Sequence, residues 1–156
     1  MKKNILIGIG NIGKSDDALG WKFLDNIQAE LSESCDFEYR YQLQVEDAEL
    51  IAHYDTAVFI DADMLHHPKG YSWNKVKPVV AGNFTSHELL PENVLYLCQY
   101  IYDKQPEAYL LSISGKNFAL RQKITGYAQD NLKKAHDFFS RCIIKKLSGQ
   151  AVNNEN

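Results

Sequence analysis

From Lys3 to Leu147 the chain alternates two kinds of hydrophobic pattern, and this alternation restricts it to few architectures. Lys3 to Ile9 is a nearly continuous apolar run, and Thr56 to Ile60 is another that ends abruptly at Asp61. Short runs without polar alternation suit strands buried on both faces of a parallel sheet. Between them Leu19, Phe23, Leu24, Ile27 and Leu31 recur at helical spacing, which predicts an amphipathic helix over residues 18–31. Ser15, Asp16 and Asp17 stand just before it, where a capping oxygen and negative charge are expected. Further strands are predicted over 37–42, within 71–80 and over 108–113, with a loop over 64–70. Helices are predicted over 46–53, over 92–102 behind Pro91, and over 125–147 with Leu132, Ala135, Phe139, Cys142 and Ile143 as its stripe. Strand and helix in alternation imply right-handed crossovers and a three-layer αβα sandwich with a mainly parallel twisted sheet. Ligands of such α/β folds gather beyond the carboxyl ends of the strands. Residues 1–148 form a single expected domain, and 149–156 an Asn-rich polar tail expected to be mobile.

The chain has 156 residues with 17 basic and 20 acidic side chains, a formal charge of -3, so it lacks the broad basic footprint of a nucleic-acid binder. Ile5 to Gly8 is too short for a signal-peptide core, and no apolar run approaches the roughly 20 residues of a membrane span. A cytoplasmic monomer without membrane contact is expected. Cys35, Cys98 and Cys142 are odd in number and far apart, which suits reduced structural thiols.

Gly8, Gly10 and Gly13 satisfy the G-x-G-x-x-G spacing between strand and helix. In a dinucleotide site the helix opens within the glycines and its N–H groups hold pyrophosphate. Here the helix opens later, behind Asp16 and Asp17, whose charge repels an anion, and Gln42 and Gln44 stand where a ribose-binding acid is expected. The loop therefore favours a cation, although a tight turn followed by capping aspartates is an equally complete reading of the same residues. A nucleotide-binding enzyme using this loop is the weakest of the functional readings.

Asp17 opens the first helix, Asp61 ends a buried strand, and His87 lies in the polar loop 83–88. Two carboxylates and one imidazole brought to one rim make a mixed oxygen and nitrogen site for a divalent transition metal, nickel or zinc, provided His87 is neutral. Individually Asp17 reads as a cap, Asp61 as an acceptor for loop N–H groups and His87 as a surface residue. Asp63, His66 and His67 form a second set, placed below the first because no regular spacing fixes their loop. His53 and His136 fall in helical patterns. There is neither a G-x-S-x-G elbow nor an H-E-x-x-H motif, and no cysteine is placed as a nucleophile.

The stretch 8–21, Phe59-Ile60-Asp61-Ala62 and Thr85-Ser86-His87-Glu88-Leu89 resemble, in order, three motifs of the hydrogenase maturation endopeptidases. The resemblance spans residues 4 to 140, and three ordered motifs are far more specific than one glycine loop. It implies a twisted sheet between helical layers and a peptidase that removes the C-terminal extension of a nickel–iron hydrogenase large-subunit precursor after nickel insertion. The implied metal-recognition and catalytic set falls on Asp17, Asp61 and His87, the nickel being carried by the precursor, with another divalent metal able to stand in its place. Two stretches depart from the family pattern. Gln42-Leu43-Gln44-Val45-Glu46 replaces a common Asp-Gly-Gly-Thr segment, and Ser112-Ile113-Ser114-Gly115 replaces the usual Gly-Ile pair. The first departure keeps open a non-catalytic metal- or partner-sensing module on the same fold.

Overall fold

The computed structural model of the protein describes residues 2–81 and 89–149. Five strands, β1 (Asn4–Ile9), β2 (Cys35–Arg40), β3 (Thr56–Asp63), β4 (Tyr71–Lys75) and β5 (Glu107–Ser114), form one sheet in the order β2-β1-β3-β5-β4. All neighbouring pairs are parallel except β4 with β5. The helices are α1 (Leu19–Leu31), α2 (Glu46–Ile51), α3 (Pro91–Tyr102), α4 (Gly126–Cys142) and α5 (Ile144–Leu147).

The pleat explains why β1 reads as one apolar run. Its even-numbered Leu6 joins Val58, Ile60, Leu111 and Ile113 against Phe23, Leu24 and Ile27 of α1 and Leu132, Ala135 and Phe139 of α4. Its odd-numbered Ile5, Ile7 and Ile9 join Ala57, Phe59 and Ala108 against Ile51 of α2 and Val94, Leu97 and Cys98 of α3. Both faces are thus covered, as the three-layer reading requires. Because β1 connects through α1 to β2 on one side and β3 lies on its other side, the topological switch falls between β1 and β3.

One difference from the sequence reading has a long-range cause. The expected helix over 125–147 ends at Cys142, breaks at Ile143, and resumes as the short α5. The break lets buried Leu147 reach the start of β1, where its carbonyl accepts from Asn4 Nδ2 at 2.6 Å. It also leaves Cys142 exposed while Ile143 is buried, so Cys142 does not belong to the apolar stripe. The strand expected within 71–80 is β4, antiparallel because the loop 64–70 crosses the end of β5 and returns the chain beside it.

The approach of α1 to the sheet is set by Gly20. A Cβ there would lie 2.5 Å from the carbonyl oxygens of both Ile60 and Ile9, main-chain atoms that cannot swing aside. Gly20→Ala is therefore expected to lower stability by about 1–3 kcal/mol through overpacking, read as a lower urea midpoint at unchanged slope.

Candidate functional site

The loop after β1 is held by its own backbone. Gly10 N donates to Arg40 O at 2.9 Å, Asn11 N to Asp17 O at 3.2 Å, and Gly13 N to Asn11 Oδ1 at 2.8 Å. Lys14 N donates to Asn11 O, Asp16 N to Asn117 O, and Asp17 N to Lys14 O. Gly10 is required by close approach: it has φ +151°, and a Cβ would collide with the Asp17 carbonyl. The N–H groups of Gly10, Asn11, Gly13 and Lys14 are thus engaged within the protein and not turned toward a pyrophosphate, which suits a tight turn.

The chain then makes a 3-10 turn, Ser15–Ala18, before α1. Neither this turn nor α1 has a side-chain cap, so the expected capping by Ser15, Asp16 or Asp17 is not what these residues do. Asp16 is fully buried and points to the loop between β5 and α4. Its Oδ2 accepts from Lys116 N at 2.8 Å, Asn117 N at 3.1 Å and Thr125 Oγ1 at 2.9 Å, while Oδ1 accepts from Thr125 N at 2.8 Å. Thr125 also caps α4, accepting from Ala128 N at 3.1 Å. Burial pushes the Asp16 carboxyl up, but the N–H groups of Lys116, Thr125 and Asn117 with the Thr125 hydroxyl outweigh it, so its pKa lies below the ordinary aspartate value. Gly115 has no room for a Cβ, which would sit 2.7 Å from Asp16 Cβ.

Asp17, one residue on, is half-buried, with its main-chain N–H bonded to Lys14 O and its C=O accepting from Asn11 N. Asp61 is half-buried near the end of β3, which runs on past Ile60 to Asp63, and its Oδ1 accepts from Ala62 N at 2.8 Å. Gly8 pairs with Ile60, and Gly20 touches the main chain of Ile9 and Ile60. Asp17, in the turn that follows β1, and Asp61, on the adjoining β3, therefore lie toward the same end of the sheet, near the switch point. Ser112 of β5 is in register with Asp61, and Ser72 of β4 with Ser112, so the strand next to this carboxylate carries a small hydroxyl residue at its level. His87 lies outside the described residues, and among those described no group of three or more His, Cys, Asp or Glu is placed to hold a metal.

The second set is ordered after all. Asp63 Oδ2 is 2.7 Å from His67 Nε2, and His66 Nδ1 is 2.7 Å from Tyr127 OH. What fixes the loop is Ser114, fully buried, whose Oγ donates to Leu65 O at 2.8 Å and accepts from His67 N at 2.9 Å. His66 and His67 are thus tied to different partners and do not join Asp63 as one ligand trio. His136 pairs with Glu30 at 2.9 Å, and His53 is exposed. Cys98 is buried in apolar surroundings that push its thiol up to about 11, which removes it as a nucleophile at neutral pH.

The architecture is an open, mostly parallel sheet between helices, with acids near its switch point. No family model matches the chain, and no curated protein matches it. Solved structures do. The [NiFe] hydrogenase maturation protease HycI from Thermococcus kodakarensis is 18% identical, with 93% of each chain covered and a TM-score of 0.67. The hydrogenase maturating endopeptidase HybD from E. coli is 14% identical over 96% of this chain and 94% of that one, with a TM-score of 0.66. An endopeptidase from Escherichia coli solved in solution is 15% identical with the same coverage and a TM-score of 0.70. At these identities the likeness is one of fold: the chain has the fold of the hydrogenase maturation proteases.

Asp16→Asn removes an anion that several donors surround, and is expected to cost about 2–4 kcal/mol at neutral pH. Because the folded pKa is depressed, the wild type holds this stability above the ordinary aspartate value of about 3.9 and loses it as pH falls through the lower folded value. Wild-type and variant urea midpoints should therefore converge in acid.

Proposed function

We propose that the protein is an endopeptidase that removes the C-terminal extension from the large-subunit precursor of a nickel–iron hydrogenase, acting in the cytoplasm after nickel insertion. The observation that supports this most is the position of Asp17, in the turn after β1, and of Asp61, near the end of the adjoining β3, in a fold shared, over 93% of both chains, with a structure named as a [NiFe] hydrogenase maturation protease. His87, in the sequence ahead of α3, supplies the imidazole of the set. Two carboxylates and a neutral imidazole are a fitting donor set for nickel. The ion arrives with the precursor and is substrate, and another divalent metal can stand in for it. Held between the two proteins, it would polarise the scissile carbonyl or make a bound water acidic.

The chain's own contribution is positional. Asp17 is fixed through both main-chain polar groups, so only its side-chain torsions adjust to an incoming ion. Asp61 is steadied by the Ala62 N–H and by the central strand that carries it.

A non-catalytic sensing role on the same site has one observation in its favour. Gln42–Glu46, which departs from the pattern the chain otherwise resembles, is engaged in structure: buried Leu43 bridges to Leu89, and Gln44 N donates to Asp47 Oδ2 at 2.9 Å. One set of measurements separates the readings. Asp17→Ala, Asp61→Ala and His87→Ala are each expected to keep the wild-type circular dichroism and to abolish processing of a nickel-loaded precursor. Processing by all three variants at the wild-type rate would falsify the peptidase assignment, whereas nickel-dependent precursor binding without cleavage by the wild type would establish the sensor. Calorimetric titration with dinucleotides is expected to give no heat of binding.

A further inference from the structure

The acidic chain reverses its charge at one place beside the site. The connection 115–125 carries Lys116, Arg121 and Lys123 and no acid. It is laced to the loop after β1: Arg121 N donates to Gly13 O at 2.9 Å, and Ser15 Oγ to Lys123 O at 2.7 Å. Lys14 lies between those two anchors. No ion pair among the described residues involves Lys14, Lys116, Arg121 or Lys123. Lys116, Arg121 and Lys123 are exposed, whereas Asp16 is buried and Asp17 half-buried, so cations and not acids form the outer surface here. Two aliphatic side chains are interleaved with them, Ile12 at 54% and Leu120 at 66% exposure.

We propose that this rim docks an acidic, partly apolar peptide segment of the large-subunit precursor beside the Asp17 and Asp61 end of the sheet, a proposal that rests on the peptidase reading above. Charge selects the partner's sign, since unpaired cations next to a site raise the encounter rate and local concentration of an anionic chain. The aliphatic residues select a peptide over a polynucleotide. Single-stranded nucleic acid is held by aromatic platforms on which bases stack; of the two rings here, Tyr127 is already covered by His66 and the Lys116 ammonium, and Phe118 is half-buried. The chain's net charge of -3 further opposes a long polyanion. An acidic stretch a few residues long satisfies both features, its carboxylates on Lys116, Arg121 and Lys123 and its apolar side chains on Ile12 and Leu120.

The test compares the wild type with a Lys116→Glu/Arg121→Glu/Lys123→Glu variant and with its neutral counterpart, in which the same three residues become Gln. In the first arm, fluorescein-labelled hexaglutamate is titrated at low ionic strength and read by anisotropy. It should bind the charge-reversed variant at least about tenfold more weakly than the wild type, with the Gln variant between. Equal affinities overturn the rim whether or not cleavage is seen. In the second arm, precursor processing by the charge-reversed variant should show KM raised about tenfold with kcat within about twofold, and a flattened dependence of kcat/KM on salt. Unchanged KM overturns the rim while leaving the peptidase standing. Absence of cleavage by the wild type sinks the peptidase, and the hexaglutamate arm then decides the rim alone. An oligouridylate that displaces hexaglutamate and binds more tightly would also overturn it, in favour of nucleic acid.

Discussion

The buried carboxylate of Asp16 is the contact on which the functional end of this molecule depends. Removed from water, an unsatisfied carboxylate would cost several kcal/mol, so its ring of donors has to form together with its burial. Those donors come from Lys116, Asn117 and Thr125, about a hundred residues away in the chain. Folding the anion inside therefore folds the loop around it. Three elements are joined in one step: the turn that carries Asp17, the connection after β5, and the first turn of α4 through the Thr125 hydroxyl, which donates to Asp16 while accepting from Ala128. Gly115 completes the arrangement by letting the backbone close on the acid.

Ser114 does for the neighbouring loop what Asp16 does for its own. Residues 64–70 must cross the end of β5 before β4 can pair with it, and that crossing leaves backbone polar groups over the sheet's rim. The Ser114 hydroxyl meets two of them, Leu65 O and His67 N, while Gly115 N donates to Asp63 O and Ser114 N to Gly70 O. The departure from a Gly-Ile pair at this place thus has a structural use. Ordering of His67 against Asp63 follows from it.

The layered architecture was legible because both faces of the sheet are covered, which leaves β1 from Ile5 onward and the core of β3 without polar side chains, and because α1 has a clean apolar stripe. The direction of β4 was not legible, since Tyr71–Lys75 carries the same residue types in either orientation. The break before α5 was equally silent: it is set by Asn4 meeting the Leu147 carbonyl from the far end of the chain. At the site, the sequence points to Asp17 for the metal-recognition set, with capping as its alternative, but offers for Asp16 only a place beside the helix start. Nothing local distinguishes a cap from an acid whose partners lie beyond residue 115. The loop with His66 and His67 was ranked low for the same reason, its anchor being Ser114. His87 is outside the described residues, so its share in the site rests on its place in the sequence.

Adjacent in the chain and identical in chemistry, Asp16 and Asp17 are separated in role by their surroundings. A carboxylate whose oxygens already accept four short hydrogen bonds, and whose pKa they hold down, is a permanent structural anion with little left to offer a metal. Its neighbour is half-buried near the switch point, where α/β sheets meet their ligands. The 3-10 turn makes this division possible. A regular helix start at residue 15 would stack both aspartates over the dipole as caps, whereas the tighter turn directs one side chain inward and leaves the next at the rim. The late start of α1, which speaks against phosphate binding at the glycine loop, thus also separates the surroundings of the two acids.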